Sequence, residues 1–131
     1  MNRKAHILVV DDEPNVLVTY RLILQQQGYD VTAALSSEEA RRALAKEDID
    51  LLLCDLSLEK QENGFDVIEF GRQKKPDLPT VLLTGYATPE ANERAEILGI
   101  PMLFKPIDIA ELLQTISKML RDEYEQRKAT G

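Results

Sequence analysis

The sequence predicts an α/β fold, a three-layer sandwich in which helices cover both faces of a parallel sheet. Two observations carry this. Short, largely apolar runs at Ile7–Val10, Leu51–Cys54, Thr80–Leu83 and Met102–Phe104 are separated by segments of helix length. Such runs are the pattern of strands buried on both faces. Each run also ends in a polar residue of a particular kind: Asp11-Asp12, Asp55, Thr84 and Lys105-Pro106. Parallel strands place their carboxyl ends on one edge of the sheet, where ligands bind at the point of strand-order reversal. That edge is expected to gather three carboxylates, a hydroxyl and an ammonium.

The elements follow in order. Pro14 suits the first turn of a helix, where its missing N–H costs nothing. Val16, Tyr20, Ile23 and Leu24 recur at helical spacing, and Gly28 stops the helix. Asp30 to Leu35 reads as a second strand, less apolar and therefore nearer a sheet edge. Ser36 with Glu39 forms a capping box that opens a helix through about Lys46. After the third strand comes a polar loop, Asp55 to Asn63, and then a helix from about Gly64 to Lys75 that buries Phe65, Val67, Ile68 and Phe70. Thr88 caps a fourth helix, with Pro89 and Glu90 behind it, and Gly99-Ile100-Pro101 ends it. Asp108 with Glu111 caps a fifth, whose apolar stripe is Ile109, Leu112, Leu113, Ile116, Met119 and Leu120. Residues 1–121 then form one domain, and 122–131 form a polar extension of the fifth helix or a linker. Every crossover contains a helix, so right-handed parallel connections follow.

Composition narrows the function. A chain of 131 residues is long enough for one domain with a real core and too short for two. A net charge of −7 argues against a nucleic-acid surface, which needs clustered Lys and Arg. The single cysteine, Cys54, excludes an internal disulfide and fits a reducing compartment. By strand alternation it points away from the site into the core. No apolar stretch approaches the roughly 20 residues needed to cross a bilayer, and no signal peptide is evident. A cytoplasmic location is the default expectation. His6, the only histidine, starts a strand and is read as structural, so the chain has no phosphate-donating histidine of its own.

The chemistry of the strand ends is specific. Two unit charges about 4 Å apart repel by on the order of 4 kcal/mol at an effective dielectric near 20, so clustered carboxylates need a cation among them. Carboxylates with backbone carbonyls and water suit Mg²⁺. A lysine and a threonine hydroxyl can neutralise and bind phosphoryl oxygens, and a carboxylate can serve as a nucleophile. These residues reach phosphoryl chemistry without choosing between a phosphate that stays and one that leaves.

Taken in order, Asp11-Asp12, Asp55, Thr84-Gly85 and Lys105-Pro106 resemble the receiver domain of two-component response regulators, from about His6 to Leu120. The resemblance implies a doubly wound, flavodoxin-like (βα)5 fold with strand order 2-1-3-4-5. It implies that Asp55 accepts a phosphoryl group from a sensor histidine kinase or a histidine phosphotransfer protein. Asp12, Asp55 and the Ser57 backbone carbonyl would hold Mg²⁺, with Asp11 acting mainly through water. Lys105 would pair with the phosphoryl oxygens and Thr84 would close on them, repacking the face of helix four, strand five and helix five. The Lys105-Pro106 bond would be cis.

The chain departs from the family pattern at three places. Met102 stands where an aromatic residue is usual, Glu59 where the loop after Asp55 usually has a proline, and the acidic and arginine pattern of the family's DNA-binding dimers is missing. The long polar stretch Glu59 to Asn63 is expected to be mobile, and Tyr86 is expected to overhang the site. Two other readings stand beside the leading one. A Mg²⁺-dependent phosphohydrolase with an aspartyl nucleophile would need an acid where Ser57 stands, and a cap domain for which the chain is too short. A receiver fold that works only as a protein-interaction module, independent of phosphorylation, draws on Met102.

Overall fold

A computed structural model describes residues 4–58 and 63–130. The elements alternate strictly: β1 (His6–Val10), α1 (Pro14–Gln26), β2 (Asp30–Ala34), α2 (Ser37–Lys46), β3 (Leu51–Asp55), α3 (Gly64–Lys74), β4 (Thr80–Thr84), α4 (Pro89–Leu98), β5 (Met102–Phe104) and α5 (Ile109–Thr130). The strands form one parallel sheet in the order β2-β1-β3-β4-β5. β2 is an edge strand, as its weaker apolar character implies. The doubly wound fold expected from the sequence is the one observed.

Strand alternation decides which helices lie on which face. Ile7, Val9, Leu51, Leu53, Val81 and Leu83 point one way and meet Leu17, Tyr20 and Leu24 of α1 with Leu112 and Ile116 of α5. Leu8, Val10, Leu52, Cys54 and Leu82 point the other way, against Ala40, Ala43 and Leu44 of α2, Phe65, Val67 and Ile68 of α3, and Ala95 of α4. The sheet is therefore buried on both sides, each large aliphatic chain contributing about 1.5–3 kcal/mol by leaving water.

The helix ends follow the sequence closely. Ser36 Oγ accepts from the Glu39 N–H at 3.1 Å, Thr88 Oγ1 from Ala91 at 3.1 Å, and Asp108 Oδ1 from Glu111 at 3.1 Å. Gly28 and Gly99 take φ of +91° and +70°, where only glycine is unstrained. Four details differ from expectation. Glu39 does not close the capping box on Ser36 but accepts from the Leu35 N–H, one residue earlier, at 2.8 Å. β2 stops at Ala34 and α3 at Lys74, where Lys75 turns to extended backbone. Ile109 stands outside the buried stripe of α5, because as the helix's first residue it precedes the turn that reaches the sheet. The mobility expected of the loop at Glu59 falls on residues 59–62, outside the described residues.

Candidate functional site

The carboxyl ends of β1, β3, β4 and β5 bring the expected residues together. Asp11 follows β1 and is 1% exposed. Its Oδ1 accepts from the Glu13 N–H at 2.9 Å, just before α1 begins, while its Oδ2 is buried without a hydrogen-bond partner among the described residues. Asp55 closes β3 and is 5% exposed. Its Oδ1 accepts from the Ser57 N–H at 2.9 Å and its Oδ2 from the Lys105 ammonium at 2.7 Å. The same ammonium lies 3.8 Å from Asp11 Oδ2. One carboxylate oxygen from each of Asp11, Asp12 and Asp55 lies within 4.8 Å of the others.

The electrostatics follow from this crowding. Burial pushes the Asp11 carboxyl up to about 6, the Glu13 N–H opposes, Asp55's charge adds to the rise, and Lys105 opposes it. Burial also works against the Lys105 ammonium, but its hydrogen bond to Asp55 and the charges of Asp55 and Asp11 outweigh that and hold it above the ordinary lysine range. Hard oxygen donors gathered on one side, with a buried carboxylate oxygen that lacks a donor among the described residues, fit a small divalent cation such as Mg²⁺.

Thr84, at the end of β4 and 1% exposed, turns its hydroxyl toward its own loop. It donates to the Tyr86 carbonyl at 2.7 Å and accepts from the Tyr86 N–H at 3.2 Å. The Lys105-Pro106 peptide is cis. Tyr86 lines a cavity shared with Ser57 and Asn63. Cys54 is fully buried on the α2–α4 side, where burial, with Asp55 and Asp11 adding, lifts its thiol far above the reactive range. His6 sits at the other end of β1, hydrogen-bonded through Nε2 to Thr32 Oγ1 at 2.7 Å.

Three contributors are hidden in the sequence. Tyr20 fits the core spacing of α1, yet its phenol, raised by burial, also feels the charges of Lys105, Asp11 and Asp55. A buried tyrosine in a helical stripe of aliphatic residues was the available signal, since a phenol rarely enters a core without polar company. Asn63 caps α3 through its side chain to the Asp66 N–H at 3.3 Å, and bridges to Ser57 across the loop. Gly64 lets α3 approach the site: a Cβ there would stand 2.8 Å from the Asp55 carbonyl oxygen and 3.0 Å from Leu82. Gly64→Ala is therefore expected to lower stability by about 1–3 kcal/mol and to weaken divalent-ion binding. Urea unfolding and titration calorimetry check the two effects, and unchanged values in both would contradict the close approach.

Among the described residues, no helix is long and apolar enough to cross a membrane. The family model of the response regulator receiver domain matches residues 7–117. The chain is 32% identical over 120 residues to the transcriptional regulatory protein GlrR of Escherichia coli, covering 91% of this chain and 27% of that protein. It is 30% identical over 117 residues to the response regulator SaeR of Staphylococcus aureus, covering 88% of this chain and 50% of SaeR. The chain thus spans between about a quarter and a half of the length of these relatives. Its fold superposes on a CheY-like receiver domain protein from Methanospirillum hungatei with a TM-score of 0.88 at 26% identity, covering 95% and 99% of the two chains. It superposes on the non-phosphorylated HemR receiver domain of Leptospira biflexa with a TM-score of 0.81 at 31% identity, covering 89% and 94%. With the motif residues gathered at one sheet edge and a family match over most of its length, this chain belongs to the response regulator receiver domain family.

Proposed function

We propose that Asp55 accepts a phosphoryl group from a phosphohistidine on a sensor histidine kinase or histidine phosphotransfer protein, and that this operates a conformational switch. One observation carries the reading: a nearly buried carboxylate at a strand end, held between the Ser57 N–H and the Lys105 ammonium, with two further carboxylates beside it. In the proposed transfer an Asp55 oxygen attacks phosphorus, the P–N bond breaks as the P–O bond forms, and the departing imidazole takes a proton. Lys105 moves from the carboxylate to the new phosphoryl oxygens, and the Thr84 hydroxyl donates to another. Asp11, Asp12, Asp55 and the Ser57 carbonyl would hold Mg²⁺, which supplies charge neutralisation between the acidic cluster and the incoming phosphoryl group. Phosphorylation adds roughly −1.5 to −2 charges at Asp55, drawing Thr84 and Lys105 inward and repacking the face of α4, β5 and α5.

Output lies with a partner or another domain, in keeping with relatives named as transcriptional regulators that are longer than this chain. The role is regulatory, in the cytoplasm, with no direct part for nucleic acid in this domain.

The test is direct. Acetyl phosphate with Mg²⁺ should add one phosphoryl group to the wild type and none to Asp55→Asn, read by intact mass. Absence of any adduct on the wild type would overturn the proposal and favour a phosphorylation-independent interaction module.

A further inference from the structure

In this chain Thr84 is tied to the residue two places on. Its hydroxyl has a single proton, and that proton goes to the Tyr86 carbonyl at 2.7 Å while the oxygen receives the Tyr86 N–H at 3.2 Å. Donation to a phosphoryl oxygen on Asp55 is therefore exclusive of donation to Tyr86. A charge-assisted hydrogen bond is roughly twice as strong as a neutral one, so the phosphoryl group wins the proton, and the shorter tie, to the Tyr86 carbonyl, is lost.

The released segment is short and hinged. Among the described residues nothing lies within 4 Å of where a Cβ of Gly85 would be, and glycine's wide φ/ψ range lets the chain bend there. The next fixed point is Thr88, whose hydroxyl caps α4 through the Ala91 N–H. Between them stands Tyr86, 75% exposed. It edges a cavity of about 360 Å³ whose other walls are Leu56, Leu58, Phe65 and Ala91, with Ser57, Asn63 and Thr88 supplying polar groups. Small-molecule sites occupy roughly 300–1,000 Å³, so a phenol ring fits this one. Its lining also suits a side chain with an apolar body and a polar tip. Met102 cannot serve in the same way, because it already packs, as Ala91 does, against the core that includes Phe65.

Resting on the phosphoacceptor reading of Asp55, we infer that Tyr86 moves when phosphorylation takes the Thr84 proton from its carbonyl, its ring folding into the cavity lined by Leu56, Leu58, Phe65 and Ala91. The ring then packs on Phe65 of α3 and Ala91 of α4, which carries the signal to α4.

The experiment uses the whole chain labelled with 3-fluorotyrosine, its four tyrosine signals assigned by single Tyr→Phe variants. A soluble paramagnetic relaxation agent reports each ring's exposure before and after acetyl phosphate with Mg²⁺, and intact mass measures the adduct. The Tyr86 signal is expected to lose most of its relaxation enhancement, reaching the low level of the buried Tyr20, as the adduct forms. Ala91→Leu, which fills the cavity from α4, should still form the adduct while Tyr86 stays exposed. Adduct without a change at Tyr86 would overturn the switch and leave the phosphoacceptor reading standing, as would full protection of Tyr86 in Ala91→Leu. Absence of adduct would overturn the phosphoacceptor reading, and the switch with it.

Discussion

Lys105→Ala is expected to slow phosphorylation of Asp55 by acetyl phosphate about 100- to 1,000-fold while tightening Mg²⁺ binding. The two effects have one origin. In the resting protein the ammonium is the cation of the acidic cluster, 2.7 Å from Asp55 and 3.8 Å from Asp11. Removing it leaves three carboxylates with no positive charge among them from the described residues, so a divalent ion meets less competition and more negative charge. Removing one preorganised donor to a developing oxyanion costs roughly 10²–10³ in rate elsewhere, and the proposed transfer would lose the cation that Lys105 brings to Asp55. The opposed signs are the useful part, because a variant that merely misfolds would weaken both. Calorimetric titration with Mg²⁺ and the time course of intact mass measure the pair. A Lys105→Ala protein phosphorylated at the wild-type rate would remove the residue from the chemistry.

Much of this site is legible in the sequence because of how parallel sheets are built. A strand buried on both faces must be apolar throughout, so Asp11, Asp55, Thr84 and Lys105 stand out where the apolar runs stop. Alternation then places Cys54 away from Asp55 and divides the helices between faces, α1 and α5 opposite α2, α3 and α4. Caps with local spacing, such as Thr88 and Asp108, are equally readable. What escapes depends on distances between elements. Nothing near Gly64 announces that its Cβ would strike the Asp55 carbonyl, because that contact forms only when α3 docks. Tyr20 reads as core by spacing, and its nearness to Lys105 depends on the rotation of α1. The present partner of Thr84 is a choice between two acceptors open to one hydroxyl, and sequence carries no record of that choice.

Asp11→Asn is expected to stabilise the metal-free protein by about 2–3 kcal/mol at pH 7.5, with the advantage shrinking as pH falls. Burial, assisted by Asp55's charge, lifts the Asp11 carboxyl from 3.8 to about 6 in the folded state. Between those values the native state binds a proton that the unfolded chain has released, so this residue's share of stability falls as pH rises through that window. Above about pH 7 the loss is complete, on the order of 3 kcal/mol at about 1.4 kcal/mol per pH unit. Asparagine keeps an oxygen for the Glu13 N–H and carries no charge, so it escapes that loss. Urea unfolding in EDTA from pH 4 to 8 should show the two proteins nearly equal near pH 4 and diverging up to about pH 7. Excess Mg²⁺ should narrow the gap from the wild-type side, since a ligand that binds only the folded state stabilises it and the variant has lost one carboxylate donor. A pH-independent difference would mean that Asp11 is not strained by its surroundings. The divergence would instead mark a buried charge retained at the expense of stability, as an ion-binding site requires.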